Sequence, residues 1–362
     1  MEFALIGIAL FLTFGNGAND NFKGFATVWG TETLDYRRAL LFATLATVAG
    51  SLVSWWLAGT LVQQFSGRGL VADEVASAPQ FIASVGIGAA LTVLCATRLG
   101  LPISTTHALI GGLVGAGLGQ AGGELHYAGL MSLFLLPLLA SPLLAATLGI
   151  LASRAVRRMP AADCACVVAP LSAVAAGGAG ITAMTSTLST LLIAPDEQCR
   201  QHPGVVGRIS LPRVGDRAHV ASAALICFAR GVNDTPKLAA LLLAGQALDA
   251  TAAALAIAIA MAAGGLLHAR RVAVTMSRRL TRMDHGQGLA ANLITAALVL
   301  FASKLGLPVS TTHVSVGSIA GIGAGAGTVD WATMRNIALS WIATLPLATV
   351  LAWLTTLAIG AS

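Results

Sequence analysis

The chain has 362 residues, of which 56% are hydrophobic and only 10% are charged, and its net formal charge is +6. A soluble domain carries about 25% charged residues, so this composition excludes a soluble protein and predicts a polytopic membrane protein. The positive charge does not indicate nucleic-acid binding, because the arginines cluster in short loops between apolar runs, as membrane topology signals do.

The first apolar run covers residues 3–30 and is interrupted by Gly15, Gly17 and the pair Asn19 and Asp20. Two glycines beside an Asn-Asp pair at bilayer depth predict a discontinuous helix. The first residues of the run carry no basic segment of the kind that begins a signal peptide. We therefore interpret them as the first membrane helix.

Three further apolar regions follow in the first half. Residues 39–61 predict a membrane-spanning helix. Residues 80–97 and 104–119 are two short apolar segments, and they predict a hairpin that either crosses the membrane or re-enters it. Residues 127–152 predict another spanning helix.

The second half repeats this order of elements. Its predicted spans and hairpin segments are residues 218–245, 250–268, 287–303, 310–327 and 331–358. The stretches Leu99–His107 and Leu305–His313 are identical except for an isoleucine replaced by valine, and Gly-x-Asn-Asp-x-x-Lys occurs at Gly17–Lys23 and Gly231–Lys237. The chain is therefore predicted to contain an internal repeat.

Loop charge predicts how the two repeats are oriented. Loop 269–286 carries five arginines and one acid and is expected in the cytoplasm, whereas its counterpart, loop 62–79, carries one arginine and two acids and is expected outside. Equivalent loops on opposite faces define an inverted repeat. We predict an all-α polytopic protein of the inner (plasma) membrane, with discontinuous helices, two hairpins and both termini outside.

The middle of the chain does not fit a simple span. Residues 167–194 are rich in Ala, Gly, Ser, Thr and Val, and the surrounding segment must begin and end in the cytoplasm. We predict a small cytosolic insert with short β-strands, and the alternative is a re-entrant helix pair. The predicted domains are residues 1–152 (first repeat), 153–217 (insert) and 218–362 (second repeat).

Ser-Thr-Thr after Leu-Pro is typical of a helix start, because proline halts the preceding segment and Ser104 or Ser310 can act as the N-cap. The free N–H groups of the first turn, the hydroxyls and the positive helix end together form an anion site. Alternatively, the hydroxyls bond back to helix carbonyls, but the near-identical second copy favours an anion site. The predicted substrate-binding residues are Ser104, Thr105, Thr106, Ser310, Thr311, Thr312, Asn19 and Asn233.

Asp20 and Asp234 are carboxylates inside apolar runs, where an acid is costly unless it has a function. With the adjacent asparagines and freed carbonyls, each is predicted to hold a transported coupling cation, Na⁺ or H⁺. The alternative is an ion pair with Lys23 or Lys237, three residues further along the same helix face. The two roles are compatible.

Other polar residues near the motifs are accessory candidates. Arg98 and Lys304 precede the hairpin glycines, and they either attract the anion or extend to the membrane interface. His107 and His313 lie in the first turns of the half-helices. A proton relay is one interpretation, and a packed, hydrogen-bonded histidine is the favoured one.

Cys164, Cys166, Cys199 and His202 lie in the predicted insert and provide four soft ligands that could suit zinc. The Cys-x-Cys spacing is not that of a common zinc knuckle, and reduced thiols are equally expected in a cytosol. We predict reduced thiols without a metal and keep zinc as the alternative.

The paired Asn-Asp and Gly-Leu-Pro-[Ile/Val]-Ser-Thr-Thr-His motifs resemble those of the PiT family of inorganic phosphate transporters, over residues 1–152 and 218–362. The resemblance implies an inverted-repeat carrier rather than an enzyme, without a cofactor, that couples phosphate to Na⁺ or H⁺ and is often a homodimer. Asn19, Asp20, Asn233 and Asp234 match the family's Asn-Asp positions, and the two Ser-Thr-Thr runs match its phosphate-binding turns. The cysteine-containing insert resembles that of a subgroup of bacterial and cyanobacterial members, which are sometimes described only as anion permeases.

The chain also departs from the family's pattern. Phe22 and Lys23 follow Asn21 where small residues are usual. Thr47 and Asn292 stand where many members have glutamate. These differences leave the choice between Na⁺ and H⁺ open.

The leading interpretation is a secondary carrier that imports inorganic phosphate, surrounded by membrane lipid and with no nucleic-acid partner. A sulfate permease of the same fold is the alternative within this class. An intramembrane hydrolase acting through Asp and His would have one asymmetric site, whereas this sequence duplicates every candidate group. A channel would not concentrate its substrate.

Overall fold

The computed structural model describes residues 2–120, 125–156, 163–169, 189–244 and 248–360. These residues are mostly helical and divide into two compact units. The larger unit contains Met1–Arg154 and His219–Ser362, and the smaller unit contains Ala155–Ala218.

The first half of the larger unit contains helices of very different lengths. A 3₁₀ turn at Lys23–Phe25 separates the first two, and a π-helical segment, Leu130–Leu135, precedes the last. The helices are α1 (Glu2–Asp20), α2 (Ala26–Gly30), α3 (Tyr36–Ala58), α4 (Thr60–Phe65), α5 (Asp73–Ala76), α6 (Pro79–Leu99), α7 (Thr105–Gln120), α8 (Tyr127–Gly129) and α9 (Leu136–Val156).

The smaller unit contains an antiparallel sheet of order β2-β1-β3 and one short helix. Its elements are β1 (Cys164–Val168), β2 (Thr190–Ala194), α10 (Asp196–Gln201) and β3 (Val205–Ser210). These strands lie within the stretch predicted to form the insert, although residues 170–188 lie outside the described residues. Asp196 accepts a 2.7 Å hydrogen bond from Arg208, and its hydrogen bond with Arg200 lowers the pKa of the Asp196 carboxyl.

The predicted reduced thiols are wrong for two of the cysteines in this unit, and so is the alternative zinc site. Cys166 and Cys199 form a disulfide, so their sulfurs are not available to a metal. Cys164 and Cys166 are both buried, two residues apart on β1, and α10 brings Cys199 to a Cα–Cα distance of 5.9 Å from Cys166, within the range of a disulfide. His202 Nδ1 contacts the carbonyl of Pro203, and the described residues contain no cluster of His, Cys, Asp and Glu that could hold a metal ion.

The second half of the larger unit repeats the element order of the first. A π-helical segment, Thr275–Arg279, follows α13. The helices are α11 (Leu211–Ala244), α12 (Ala250–His268), α13 (Arg270–Val274), α14 (His285–Lys304), α15 (Thr311–Ala326) and α16 (Trp331–Gly360).

Within the described residues, seven helical segments are long and apolar enough to cross a membrane. They are Glu2–Gly30, Tyr36–Ala58, Pro79–Leu99, Tyr127–Val156, Ala250–His268, His285–Lys304 and Trp331–Gly360. Helix α11 is not among them, and it carries Arg230, Asp234 and Lys237 in its apolar part.

The predicted break in the first helix lies later than expected, and the second Asn-Asp pair causes no break. Helix α1 continues through Gly15 and Gly17 and ends only at Asp20. Gly17 packs so closely on α12 that a Cβ there would lie 2.1 Å from the Met261 carbonyl oxygen. In the second half, a Cβ at Gly231 of α11 would lie 2.3 Å from the Thr47 carbonyl oxygen of α3. The glycines before Asn-Asp therefore permit close helix packing rather than a helix break.

The two halves share one hydrophobic core. Its largest buried cluster combines α1, α6 and α7 of the first half with α11 and α12 of the second. Leu12, Val93, Leu113, Leu242 and Ile257 represent these five helices in the cluster. The halves therefore pack into one body, which fixes the position of each motif relative to its copy.

Each hairpin packs its turn against the other half. We call α6–α7 the first hairpin and α14–α15 the second. Their turns together with the first helical residues that follow, residues 100–106 and 306–312, are the two tips. The hydroxyl of Thr275 donates to the Gly100 carbonyl at 2.8 Å. A Cβ at Gly306 would lie 2.7 Å from the Thr60 hydroxyl. Thus the first tip contacts the segment after α12, and the second contacts the segment after α3.

Candidate functional site where the hairpin tips meet

Both tips turn sharply at a glycine and start the next helix with a serine cap. Gly100 and Gly306 have φ values of 71° and 68°, which glycine adopts more readily than other residues. The Ser104 hydroxyl accepts a 3.1 Å hydrogen bond from the His107 backbone N–H, and the Ser310 hydroxyl accepts one of 3.2 Å from that of His313. These are the N-cap contacts that the sequence predicts.

The two tips contact each other through their last threonines. The Thr312 hydroxyl donates to the Ile103 carbonyl at 2.8 Å, and the Thr106 hydroxyl donates to the Val309 carbonyl at 3.4 Å. All six hydroxyl residues of the tips are buried: Ser104, Thr105, Thr106, Ser310, Thr311 and Thr312. The two Ser-Thr-Thr motifs therefore belong to one buried cluster.

Lys23 connects the end of α1 to both tips. Its ammonium group donates to the Asp20 carboxylate, to the Asn19 side-chain oxygen at 2.9 Å, to the Ile103 carbonyl at 3.0 Å and to the Thr312 hydroxyl. Asp20 also lies 3.4 Å from the Thr105 hydroxyl. The ion pair between Asp20 and Lys23, which is the alternative interpretation of these two residues, is present and buried.

Lys237 repeats these contacts from α11. Its ammonium group donates to the Val309 carbonyl at 2.7 Å and to the Thr106 hydroxyl at 3.0 Å, and it lies 3.8 Å from the Asp234 carboxylate. Asn233 donates to Asp234 at 3.0 Å and to the Val309 carbonyl at 3.3 Å. Each lysine thus binds the carbonyl of the tip in its own half and the threonine of the tip in the other half.

Sequence reasoning missed two central residues, Asn16 and Arg230. Arg230 is only 1% exposed, and its Nη2 donates to the Asn16 side-chain oxygen at 2.6 Å, while its Nε lies 3.5 Å from Asp234. The Asn16 amide lies 3.3 Å from both Asp20 and Asp234, so it connects the two carboxylates. Both residues stand directly before the glycine of the repeated motif, and extending the motif by one position would have found them.

The charged groups of this cluster do not balance. Its formal charges are two carboxylates, Asp20 and Asp234, against three cations, Lys23, Lys237 and Arg230, which leaves one positive charge in excess. All five side chains are buried, so solvent screens them little. The serine-capped starts of α7 and α15 also bring the positive ends of two helix dipoles to this cluster, which favours an anion.

The histidine candidates lie beside the tips and pack on one another. The ring centroids of His107 and His313 are 4.5 Å apart, and the His313 ring lies 3.9 Å from that of Trp341. The Trp341 indole donates to the Pro102 carbonyl at 3.0 Å. Aromatic packing therefore ties the first turns of α7 and α15 to α16.

Arg98 and Lys304 lie outside the buried cluster, because both side chains are exposed. Arg98 instead lines a cavity of about 800 Å³ together with His268, Arg270, Arg271 and Thr97. The Thr97 hydroxyl accepts a 2.9 Å hydrogen bond from Asn19. A basic cavity thus extends to the residue that contacts the first Asn-Asp motif.

Thr47 and Asn292, which stand where the family resemblance implies glutamate, have polar partners. The Thr47 hydroxyl accepts a 3.4 Å hydrogen bond from Arg230. Asn292 accepts one of 2.9 Å from Thr27 and donates one of 3.2 Å to Ser222. Thr47 therefore contacts the charged cluster through Arg230.

The apolar helices and the shared core define a multi-pass membrane protein, with a buried polar cluster between its two halves. The model of the phosphate transporter family matches residues 16–352, and the chain belongs to this family.

Relatives and one solved structure carry related descriptions. The chain is 28% identical to a probable low-affinity inorganic phosphate transporter of Mycobacterium leprae, covering 94% of this chain and 73% of the relative. It is 26% identical to a putative phosphate permease of Pyrococcus abyssi, covering 95% and 94%. A solved structure described as the sodium-dependent phosphate transporter matches with a TM-score of 0.76 at 21% identity over 99% of both chains, which shows the shared fold.

Proposed function

We propose that this protein imports inorganic phosphate by secondary active transport and binds it between the two hairpin tips. The observation that carries the proposal is the meeting of two serine-capped helix starts at a buried cluster with one excess positive charge. Membership of the phosphate transporter family and the descriptions of the relatives support phosphate as the substrate.

The tips supply neutral donors on two sides of the proposed site. Backbone N–H groups in the first turns of α7 and α15 have no partner within their own helix, and such groups bind phosphate in many proteins. The Thr106 and Thr312 hydroxyls now donate to tip carbonyls, and they are placed to donate to a phosphate oxygen instead. Asn19 and Asn233 hold the backbone of the tips in position.

Asp20 and Asp234 are the proposed coupling residues, and Na⁺ and H⁺ are the candidate ions. The solved relative is described as sodium-dependent, which makes Na⁺ one of the two candidates. The neutral residues at Thr47 and Asn292 remove two acids that a cation site could use. Arg98, in the basic cavity beside Thr97, is proposed to attract phosphate, and Lys304 to extend toward the membrane interface.

The charge of the loops supports the proposed orientation in the inner membrane, with both termini outside and residues 153–217 in the cytoplasm. The proposed domains are residues 1–152, 153–217 and 218–362. The disulfide of the insert is more typical of an oxidising compartment, and it is the observation that argues for the opposite orientation. A homodimer embedded in lipid, without a nucleic-acid partner, completes the proposal.

Purified protein in liposomes tests this function directly. Labelled phosphate should accumulate inside against its gradient, and an ionophore that dissipates the ion gradients should abolish the accumulation. Uptake that persists at full rate with the ionophore, but never exceeds equilibrium, would indicate a channel. The absence of phosphate uptake combined with sulfate uptake would identify a sulfate permease.

Matched variants of the two tips test the shared site. Ser104→Ala with Thr105→Val should raise the phosphate concentration for half-maximal uptake, and so should Ser310→Ala with Thr311→Val. Each pair removes hydroxyls from one of two equivalent helix starts. An effect confined to one tip would contradict binding between both.

A further inference from the structure

We infer that Lys23 and Lys237 occupy the positions of coupling cations, so that phosphate transport by this protein does not require Na⁺. The inference rests on the proposed phosphate transport and concerns the ion that accompanies it. It starts from the oxygen atoms that surround the two ammonium groups.

The ammonium group of Lys23 lies in a shell of oxygen atoms from three parts of the chain. The shell contains one carboxylate (Asp20), one amide oxygen (Asn19), one backbone carbonyl (Ile103) and one hydroxyl (Thr312). Carboxylate, amide and carbonyl oxygens are the ligands that hard metal cations take in proteins. The lysine therefore fills a site with the composition of a cation site.

Lys237 fills a second shell of the same kind. The Val309 carbonyl, the Thr106 hydroxyl and the Asp234 carboxylate surround its ammonium group at 2.7, 3.0 and 3.8 Å. The two lysines occupy equivalent positions in the repeated motif, and their partners are equivalent residues of the two tips. Both shells are thus occupied by a cation that is covalently part of the chain.

Charge balance gives a second reason. Two buried carboxylates alone would repel an anion, and a carrier built that way needs bound cations before phosphate can enter. Here Lys23, Lys237 and Arg230 already exceed Asp20 and Asp234 by one charge. One monoanion, such as dihydrogen phosphate, neutralises the cluster, whereas an added Na⁺ would increase the excess inside a medium that screens poorly.

The same residues predict that Na⁺ enters only when an ammonium group is removed. Lys23→Ala leaves the Asp20 carboxylate and the surrounding oxygens in place without their cation. We expect phosphate uptake by this variant to fall by about 100-fold in Na⁺-free medium, since the loss of one partner strands a buried charge. Added Na⁺ should restore a substantial part of it.

The first measurement uses the wild-type protein in liposomes, with equal pH gradients and with Na⁺ or N-methylglucamine outside. We expect the initial rates of phosphate uptake with the two cations to differ by less than about twofold, which is well below the tenfold change that about 1.4 kcal/mol would produce. A rate at least tenfold lower without Na⁺ would overturn the inference while leaving phosphate transport intact. No phosphate uptake with either cation would reject the proposed function, and the inference with it.

The second measurement compares variants. Lys23→Ala and Lys237→Ala should both gain Na⁺ dependence, and Na⁺ should raise their melting temperatures but not that of the wild type. Arg335→Ala, which removes an exposed cation at the start of α16, is the matched control and should behave as the wild type. Folded lysine variants that show neither Na⁺-stimulated uptake nor stabilisation by Na⁺ would overturn the inference. If both variants fail to fold, the wild-type measurement still decides it.

Discussion

Arg230 and Asn16 occupy the same position in the two copies of the Asn-Asp motif, and they bind each other across the interface between the halves, with Arg230 Nη2 2.6 Å from the Asn16 side-chain oxygen. The repeat is therefore asymmetric at its centre. One copy supplies a guanidinium and the other an amide, and the amide reaches both Asp20 and Asp234.

Arg230→Gln should weaken phosphate binding much more than Arg230→Lys. The glutamine removes the charge that leaves the cluster one unit positive, whereas lysine retains it but loses the planar set of donors. We expect the KM for uptake to rise by about 100-fold for glutamine, as for the loss of a buried charged partner. Kinetics of labelled phosphate uptake measure this, with Arg335→Gln as the exposed control; an unchanged KM in Arg230→Gln would show that Arg230 only holds the helices together.

Asp20→Asn and Asp234→Asn should each reduce phosphate uptake by about 100-fold, because each change leaves a buried ammonium or guanidinium group without its carboxylate. Both proteins should still be found in the membrane at comparable amounts. Asp330→Asn is the matched control, since this exposed acid caps α16 by accepting from the Thr333 N–H and asparagine caps equally well. Normal uptake in either buried variant would assign that acid a dispensable role.

Gly17→Ala should destabilise the protein, whereas Gly7→Ala on the same helix should not. A Cβ at Gly17 would lie 2.1 Å from the Met261 carbonyl oxygen, and a Cβ at Gly7 has no heavy atom within 4 Å. Overpacking of this kind costs about 1–3 kcal/mol or more. Thermal unfolding in detergent should show a lower melting temperature only for Gly17→Ala, and equal values would mean that α1 and α12 can separate without cost.

Excess sulfate should compete poorly with phosphate, whereas arsenate should compete well. Phosphate and arsenate carry O–H groups that can donate to Asp20 or Asp234, but sulfate has only acceptors near neutral pH. An unpaired buried acceptor costs about 1–3 kcal/mol, which corresponds to a preference of roughly ten- to hundredfold. The measurement is uptake of labelled phosphate in the presence of a tenfold excess of each competitor, which offsets a difference in binding free energy of about 1.4 kcal/mol. Strong inhibition by sulfate would favour a sulfate permease.

Cys166→Ser combined with Cys199→Ser should leave phosphate uptake unchanged, since the disulfide belongs to the smaller unit and the polar cluster to the larger one.

Cysteine labelling in intact cells tests the proposed orientation. If residues 153–217 lie in the cytoplasm and the N-terminus lies outside, an impermeant maleimide should fail to label Asp196→Cys and should label Glu2→Cys. Labelling of both positions from one side would contradict the inverted repeat.

Local chemistry explains what the sequence could predict. The serine caps of Ser104 and Ser310 depend on a few adjacent residues, so a Leu-Pro-x-Ser-Thr-Thr pattern was sufficient to locate both helix starts. The burial of Asp20 and Asp234 likewise followed from their apolar neighbours. The fold class and the family followed from the duplication of these motifs.

The remaining features depend on contacts between residues distant in the chain. Lys23 reaches Thr312, and Lys237 reaches Thr106, only because the halves share one core. The position of the helix break was misjudged because Gly17 has its role against Met261, on another helix. The disulfide depends on α10 bringing Cys199 next to Cys166 of β1, a contact between distant residues that the cysteine spacing alone did not reveal.

The crosswise contacts of the lysines have a consequence for leakage. Each ammonium group binds both tips, and the tips bind each other through Thr106 and Thr312. If the proposed transport cycle moves a hairpin outward, that hairpin must break contacts at both lysines at once. We expect bound phosphate to replace these contacts, so that the empty protein changes conformation more slowly and leaks fewer ions than the loaded one.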